Sequence, residues 1–507
     1  MTREKSKLSG ILPILLFLPL IVFLETDLVL FVANQVLIAA EFNLGAQFTV
    51  IGFITGFYFI VKAVFILIAG YLSDIYKRKW ILIFAGGIWV ISEILTSFAV
   101  NPLMLGFFRI TAAIGLGAAS PVTLSLLADI FSSEKRGNSF AWWGLATTLG
   151  ALIGGSFSFG VNTFIDYEFP ENWTVLQKID YIRLNFPVEM TYWRLPFLWA
   201  GLIGLALVCL CFFIKEPKRA SKESALEDVL SDENIDYTHS YRIKLEDLKG
   251  IFTKRSNFWL IINFFDTILY GFLVSYLITY ITVEVGFSFT DPISILMVLV
   301  FIAPIGILMF AGQFYFARLG DRKVAGGDPA GRVKVAIFCG LVHIPFLILG
   351  FMFFPNAAHL TFLKGALDLS NALWLFWILL LVMSVIIGIG MFLEFGVGPC
   401  WFASMVDVNL PEHRGTAYAM ASMMDAIGRG IGPIVGSLFV DYYISIGEVY
   451  PFGMTILVTT LSFGVISSIL WIPIYKYCNE DFAEVAKILK DRAEELKKLP
   501  PVKAAAE

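Results

Sequence analysis

The sequence predicts an all-α membrane protein in which twelve transmembrane helices form two pseudo-symmetric six-helix bundles. The first observation is composition: 58% of the 507 residues are hydrophobic and only 15% are charged, and the mean hydropathy is +0.78. A water-soluble surface cannot be built from so few polar residues. The second observation is a charged motif that occurs twice, 278 residues apart in the chain.

Twelve apolar segments each reach the roughly 20 residues that a helix needs to cross the hydrocarbon core. Lipid offers no hydrogen bonds to the backbone, so a spanning segment must be a helix or part of a closed barrel, and runs of this length favour helices. The segments cover residues 11–39, 48–73, 80–100, 102–129, 139–161, 194–214, 258–284, 292–317, 333–354, 372–406, 417–442 and 452–475. An acidic, polar stretch between the sixth and seventh segments predicts a flexible linker.

The repeated motif indicates an internal duplication. The run DIFSSEKRG ends the fourth segment at Asp129, and DVNLPEHRG ends the tenth at Asp407. The same spacing relates further residues without a gap, namely Pro121 and Pro399, Gly150 and Gly428, and Gly154 and Gly432. The predicted parts are an N-terminal six-helix bundle (1–214), a cytoplasmic linker (215–257), a C-terminal six-helix bundle (258–476), and a cytoplasmic C-terminal helix and tail (477–507) that Asn479 is expected to cap.

The distribution of charge predicts how the chain is oriented. Lys and Arg cluster in the loops after the second, fourth, eighth and tenth segments, while most short loops on the other side have none. The positive-inside rule places both termini in the cytoplasm of a multi-pass protein, which we expect in the plasma membrane. The first segment is too long for a signal peptide, so we expect it to remain attached. The sequon at Asn172 is either a glycosylation site or a chance match.

In each half the repeated motif joins two helices through a charged turn. Asp129 and Arg136 stand seven residues apart across the first turn, and Asp407 and Arg414 match them in the second. An ion pair across such a turn would hold a rigid-body contact closed until the other half moves. The alternative is a charged turn with no gating role.

A basic motif joins the second and third helices and has a counterpart between the eighth and ninth. GYLSDIYKRK supplies Gly70 for close helix approach, Asp74 as an acceptor for amides at a helix N-terminus, and Arg78 on the basic side. The counterpart ARLGDRK supplies Asp321 and Arg322. We expect these five residues to take part in gating.

The two basic motifs resemble those of the major facilitator superfamily, whose inner loops carry G-x-x-x-D-[RK]-x-G-[RK]-[RK] at these places. YWRLPF before the sixth helix and KEPKR after it are similar as well. Three positions depart from the pattern: Ile75 stands where a basic residue is usual, and Lys77 and Ala317 stand where glycine is usual. The pattern therefore does not establish how strongly these loops hold the gate closed. The resemblance implies a secondary transporter that alternates access to a central site.

Within that superfamily the chain resembles Spinster-like lipid transporters. Asp27 has the same position relative to the following FNL as the membrane aspartate of those proteins. The spacing between Arg109 and Asp129 also equals the spacing from their fourth-helix arginine to the corresponding aspartate. The acid that they carry seven positions after that arginine is Leu116 here, and Leu116 corresponds to Glu394 in the duplication. The resemblance implies that the acid has moved to the tenth helix and that an amphipathic lipid is one candidate substrate.

Ionisable residues at membrane depth are the strongest site candidates, because each costs several kcal/mol unless it faces protein or water. Asp27 has no basic neighbour along its own helix, so we expect it to carry the coupling proton, with Glu25 and Glu394 as further candidates. The residues expected to bind substrate are Arg109, Glu93, Asp266, Asp425 and Arg429. Arg109 is also a candidate partner that keeps Asp27 ionised.

Structural roles are the alternative for these residues. Lys62 and Glu93 lie at similar heights on helices joined by a tight hairpin and are expected partners in a salt bridge. Asp425 and Arg429 are four residues apart on one helical face, which is equally consistent with structural stabilisation. His343 is expected to be an ordinary core histidine.

The sequence argues against several functional classes. It contains no Walker A motif, and its four histidines are scattered, so we expect neither a primary pump nor an enzyme. We expect no cofactor, no metal, no nucleic-acid partner, and a monomer in the bilayer. The favoured function is proton-coupled transport of a small organic or amphipathic solute. The excess of acids over bases at membrane depth indicates either a cationic or zwitterionic solute or protons that titrate some of those acids. A lysolipid transporter, a scramblase-like lipid carrier and an uncoupled facilitator remain alternatives.

Overall fold

The computed structural model describes residues 17–45, 47–130, 136–162, 173–214, 216, 254–285, 292–352, 373–409 and 411–498. Every regular element in this part of the chain is helical. The N-terminal half contains α1 (Phe17–Ala33), α2 (Gln35–Glu41), α3 (Phe48–Ile75), α4 (Arg78–Thr96), α5 (Pro102–Ile130), α6 (Arg136–Asn162), α7 (Val175–Asn185) and α8 (Arg194–Cys211). The C-terminal half contains α9 (Arg255–Ile262), α10 (Phe265–Val283), α11 (Pro292–Ala325), α12 (Gly331–Met352), α13 (Leu373–Val408), α14 (Pro411–Ser445), α15 (Pro451–Thr459) and α16 (Val465–Lys498).

These helices form the multi-span architecture that the hydropathy predicts. Ten spans in the described residues are long and apolar enough to cross a membrane, and the pair α1 and α2, bent by 56°, makes an eleventh. The remaining predicted span coincides with α6, in which Leu149–Val161 forms a shorter apolar helix. The C-terminal helix does not begin at an Asn479 cap, because α16 continues through that residue without a break.

The first span of each half is interrupted. In α1 a turn at residues 25–26 precedes Asp27. In the second half, two residues separate the end of α9 at Ile262 from the start of α10 at Phe265, next to Asp266. At the break in the second half, the amide of Phe264 donates to Ile262 and not to Leu260, four residues earlier. The carbonyl oxygen of Leu260 accepts instead from the Trp401 indole, at 2.7 Å. A side chain from a neighbouring span therefore satisfies the freed backbone group, as a low-dielectric setting requires.

Duplicated glycines pack α6 and α14 against the first span of their own half. A Cβ at Gly154 would lie 2.7 Å from the carbonyl oxygen of Thr26, and one at Gly432 would lie 2.2 Å from that of Ile268. No side chain fits at such distances, so glycine allows the helices to touch. The duplication seen in the sequence therefore extends to contacts in three dimensions.

The buried apolar residues show how the two halves meet. One cluster joins both halves on the side of the membrane where α7 lies, which we call the loop side. On the other side, called the linker side because Glu216 and Lys254 lie there, the described residues form two separate clusters, one within each half. The halves are thus packed together on the loop side and have independent cores on the linker side.

Candidate functional site

A fully buried charge cluster, the Arg109 cluster, lies in the N-terminal half. The Arg109 guanidinium binds both carboxylate oxygens of Asp27, at 2.8 Å and 2.7 Å, and donates to Glu93 Oε1 at 3.1 Å. The Trp89 indole also donates to Asp27, at 3.2 Å. Asp27 therefore has a basic partner on another helix, which the pattern along its own helix could not reveal.

Aromatic rings enclose the cation of this cluster. The Arg109 Cζ atom lies 5.3 Å from the ring centroids of Phe31, Tyr58 and Phe197, within range of cation–π attraction. Asp27 and Glu93 have no exposed surface, and Arg109 has 1%. The cluster is sealed from the surface, and none of its members lines the large cavity described below.

The Arg109 cluster contains two carboxyl groups and one cation. Glu93 Oε2 is buried and has no hydrogen-bond partner among the described residues. Glu93 pairs with Arg109, and no described salt bridge joins it to Lys62, so the structure does not support the predicted Lys62–Glu93 pair. Since an unpaired buried carboxylate is expensive, the geometry favours one proton on the two acids.

The C-terminal half contains an open cavity of about 340 Å³. Its wall includes four of the predicted site residues, Asp266, Glu394, Asp425 and Arg429. The rest of the wall is largely aromatic and includes Phe264, Tyr270, Phe395, Trp401, Phe402 and Trp471. A cavity with a few charged groups on an aromatic wall is the usual form of a small-molecule site.

The one cation of the cavity wall, Arg429, already has partners. Its Nη2 atom lies 2.9 Å from Asp425 Oδ2, one helical turn away, and its Cζ atom lies 5.1 Å from the Tyr270 ring. The Arg429 side chain is 41% exposed. The Asp425–Arg429 pair is therefore accessible from the cavity, in contrast to the sealed Arg109 cluster.

Glu394 approaches a histidine behind the cavity wall. Its Oε2 atom lies 3.2 Å from Nε2 of His343, whose side chain is 2% exposed. The other ring nitrogen of His343 lies 3.2 Å from the carbonyl oxygen of Cys339. His343, expected to be an ordinary core residue, therefore contacts one of the predicted coupling acids.

Glu25 occupies the counterpart of this region in the N-terminal half. It lines a crevice of only about 10 Å³ together with Leu116, the residue that corresponds to Glu394. No described salt bridge includes Glu25, which is partly exposed. The crevice is too small for an organic solute.

On the loop side the halves are joined by a carboxylate that caps a helix of the other half. Asp441 of α14 accepts hydrogen bonds from the backbone amides of Phe48, at 2.6 Å, and Thr49, at 2.8 Å, and from the Thr49 hydroxyl. These amides begin α3, where a negative charge is most stabilising. We call this contact the Asp441 latch; sequence reasoning missed it because its partners are 393 positions apart.

Helix α7 adds a second contact between the halves on the loop side. The Lys178 ammonium donates to the carbonyl oxygen of Val283 at 2.6 Å, close to the end of α10. Burial lowers the pKa of Lys178, and the nearby Glu284 carboxyl partly offsets this. Val175, Ile179 and Ile182 are buried in the shared core, so α7 is anchored as well as hydrogen-bonded.

The predicted gating motifs on the linker side form contacts within each half. Arg78 binds Glu216 at 3.2 Å, and Arg332 binds both Asp321, at 2.7 Å, and Asp407. The described partner of Asp407 is thus Arg332, which the sequence did not predict. A Cβ at Gly70 would meet no atom within 4 Å, so the close helix approach expected there is absent from this conformation.

Several predicted features lie outside the described residues. These are the side chains of Asp74, Asp129, Arg136 and Arg414, the sequon at Asn172, and most of the linker. The exposed side chain of Arg322 makes no described ion pair. No group of three or more metal-ligating side chains comes together in the described part of the chain.

A family model described as "Major Facilitator Superfamily" matches residues 15–433, which is most of the sequence. The chain belongs to the Major Facilitator Superfamily. It is therefore an integral, multi-pass membrane protein of a transporter family, not of an enzyme family.

Related superfamily proteins match parts of the chain. An uncharacterized transporter of Rickettsia felis is 25% identical over 47% of this chain and 47% of its own length. Protein spinster of Drosophila melanogaster is 24% identical over 37% of this chain and 25% of its own. A vacuolar basic amino acid transporter of Saccharomyces cerevisiae is 36% identical over 20% of this chain and 22% of its own. The matched region spans less than half of each relative.

Solved structures match the whole fold. A bacterial homologue of the human lysosomal transporter Spinster, in an inward-facing and unoccupied conformation, superposes with a TM-score of 0.68 and 17% identity, covering 93% of this chain and 97% of that one. The nucleoside transporter NupG superposes with a TM-score of 0.54 and 13% identity, covering 91% and 99%. The superfamily fold and the Spinster resemblance expected from the sequence are confirmed.

Proposed function

We propose that this transporter is a proton-coupled carrier that moves a small organic solute with a cationic group by alternating access. The observation that carries the proposal is the excess of carboxyl groups in both halves. In the N-terminal half Asp27 and Glu93 share Arg109. In the C-terminal half Asp266, Glu394 and Asp425 line a cavity whose one cationic side chain, Arg429, pairs with Asp425. In a low-dielectric setting such an excess is neutralised by protons or by a cationic ligand, and alternation between the two is the basis of coupling.

The distribution of contacts between the halves supports the alternating-access part of the proposal. The shared core, the Asp441 latch and Lys178 all join the halves on the loop side, whereas the linker-side cores are separate. Rocking one bundle against the other would break the loop-side contacts and bring the linker sides together. The two bundles, 1–214 and 258–476, are the proposed rigid bodies, and residues 215–257 connect them.

We assign the linker side to the cytoplasm of the plasma membrane. The basic loops that join α3 to α4 and α11 to α12 lie on this side, which the positive-inside rule places in the cytoplasm. With twelve spans, both chain termini would lie there as well. The conformation described here is then open to the cytoplasm. Reaction of engineered surface cysteines with a membrane-impermeant reagent in sealed, right-side-out vesicles tests this assignment.

The experiment first identifies a ligand. The melting temperature of the purified protein is measured with each compound of a panel of metabolites and lysolipids, because a ligand that binds the folded state raises it. The ligand is then used in proteoliposomes to compare uptake driven by a pH gradient with counterflow at equal pH. Wild-type protein is expected to accumulate the ligand only with the gradient. Equal, saturable uptake with and without a gradient would instead establish an uncoupled facilitator.

Asp27→Asn tests the role expected for the Arg109 cluster. The variant leaves Glu93 as a carboxylate for Arg109 and removes the excess acid, so it imitates the protonated cluster. We expect it to lose gradient-driven accumulation while counterflow persists. Asp328→Asn is the matched control, because Asp328 lies in the loop between two spans, where its carboxylate pairs with Lys334. Normal accumulation by Asp27→Asn would remove this residue from the coupling mechanism.

A further inference from the structure

The contact between His343 and Glu394 has a chemical consequence. His343 Nδ1 lies 3.2 Å from the carbonyl oxygen of Cys339, which can only accept, so Nδ1 carries a proton. In the neutral imidazole Nε2 then has a lone pair, and this atom is 3.2 Å from Glu394 Oε2. A neutral imidazole beside an ionised carboxylate would place two lone pairs in contact.

A proton between the two side chains removes this repulsion. Either Glu394 is a carboxylic acid that donates to Nε2, or His343 is an imidazolium that donates to the carboxylate; both hold the same number of protons. Nε2 and Oε2 are each buried without a hydrogen bond to another described group. No other described donor is in place to satisfy the carboxylate oxygen.

The same carboxyl group belongs to the cavity. Glu394 is 11% exposed and lines the wall with Asp266, while His343 lies behind it. Asp266 and Asp425 are the other acids facing this region, Arg429 is the cation of the wall, and Cys339 lies on the helix of His343. A ligand cation placed between Asp266 and Glu394 would therefore favour ionisation of Glu394 and loss of the shared proton.

We propose that His343 and Glu394 share one proton while the cavity is empty and release it when the cationic group of a ligand binds beside Glu394. One proton leaves to solvent as one positive charge enters, so the exchange preserves the charge of the site. The aromatic wall suits a quaternary or aromatic ammonium group, which rings of this kind attract. This inference rests on the proposed function and assigns a second proton site, separate from the Arg109 cluster.

The shared proton can be measured without any ligand. The full chain has four histidines, so nitrogen-15 labelling of histidine gives few signals, and the His343→Gln variant identifies those of His343. In wild-type protein we expect the His343 signals to report a titration coupled to Glu394. Glu394→Gln should convert it to an independent titration, and Glu394→Asp, which withdraws the carboxylate by one methylene, should also alter it.

Asp425→Asn is the control for this measurement, because it removes a carboxylate from the same cavity that contacts Arg429 instead of His343. Melting temperatures establish that each variant is folded. His343 signals that are the same across the pH range in wild type, Glu394→Gln and Glu394→Asp would overturn the shared proton.

Proton release is measured by adding quaternary ammonium ions to weakly buffered protein with a pH-indicator dye. Choline and benzyltrimethylammonium are suitable probes because they carry no exchangeable ammonium proton, and 3,3-dimethylbutan-1-ol is the neutral isostere of choline. We expect about one proton released per bound cation in wild type, with none released by the isostere or by the Glu394→Gln variant. Absence of release with both cations, or undiminished release in Glu394→Gln, would overturn the proposal.

The two proposals can fail separately. If gradient-driven uptake by wild type is observed and Glu394→Gln is indistinguishable from it, the second proton site is wrong and the proposed function stands. If the wild-type protein shows no response to a pH gradient, the proposed function is wrong irrespective of the histidine signals.

Discussion

The two halves retain the same packing but differ in their charged residues. The N-terminal half places Asp27, Glu93 and Arg109 on its first, third and fourth spans in a sealed cluster. The C-terminal half places Asp266, His343 and Glu394 on the corresponding spans around an open cavity. The glycines that pack α6 and α14 onto their first spans are retained in both halves. The difference shows that side-chain chemistry diverged on a preserved helical frame.

A pair of exchanged positions accounts for much of this difference. Arg109 corresponds to Ile387, and Leu116 corresponds to Glu394. The N-terminal half therefore has its cation where the C-terminal half is apolar, and an apolar side chain where the C-terminal half has its acid. A buried arginine draws the acids of its half together, whereas without one the acids of the C-terminal half remain separate and line a cavity.

The largest effect on stability is expected from Arg109→Met, because it leaves Asp27 and Glu93 buried without a cation. Removing one partner of a buried ion pair typically costs about 3–5 kcal/mol. We expect a large loss of folded protein, measured by thermal unfolding in detergent. The triple variant with Asp27→Asn and Glu93→Gln should recover much of the loss, since no buried charge remains.

Arg429→Met is the corresponding variant in the C-terminal half. Because the Arg429 side chain is 41% exposed, its pair with Asp425 is screened, and we expect about 1 kcal/mol or less. Equal destabilisation by the two arginine variants would contradict the distinction between a sealed and an open cluster.

The preserved packing is tested by Gly432→Val in α14 and Gly154→Val in α6. Each added side chain would overlap the backbone of the first span of its half, and overpacking costs about 1–3 kcal/mol or more. We expect both variants to lower the melting temperature, with Gly432→Val the more severe because its approach is closer. Gly70→Val serves as the control, because a Cβ at that position meets no atom within 4 Å; a similar loss there would show that overlap with a neighbouring span is not the cause.

The closure on the loop side is tested by Asp441→Asn. The variant replaces charge-assisted hydrogen bonds to the start of α3 with neutral ones, a change of about 1.5 kcal/mol in favour of opening. This corresponds to roughly a tenfold change in the ratio of the two conformations. Single cysteines near Phe48 should become more reactive from the loop side, and Asp328→Asn should leave their reactivity unchanged. Unaltered reactivity would show that the shared core alone keeps the side closed.

The smallest effect is expected from Asp407→Asn on the linker side. Arg332 retains Asp321, and exposed ion pairs contribute about 0–1 kcal/mol. We expect a small loss of stability and a modest increase in cysteine accessibility from the linker side. The same measurement on Asp129→Asn tests the duplicate turn. Unchanged accessibility in both variants would leave a charged turn without a gating role.

The helical membrane architecture, the duplication and most of the charged residues of the sites could be predicted from the sequence alone. These are properties of composition and spacing: long apolar runs must be helices in lipid, and a repeat in register reports a repeated structure. The sequence also pointed to four residues of the C-terminal cavity, Asp266, Glu394, Asp425 and Arg429, because ionisable groups are rare at membrane depth.

Which of these residues contact one another depends on the packing of the folded chain. Arg109 lies 82 positions from Asp27, Asp441 lies 393 from Phe48, and His343 is on a different span from Glu394. Helix periodicity relates residues three or four positions apart on one helix, and it contains no information about which faces of different helices are opposed. The pairing of Arg109 with Asp27, the Asp441 latch and the His343–Glu394 contact all depend on that opposition, which packing of the whole bundle sets.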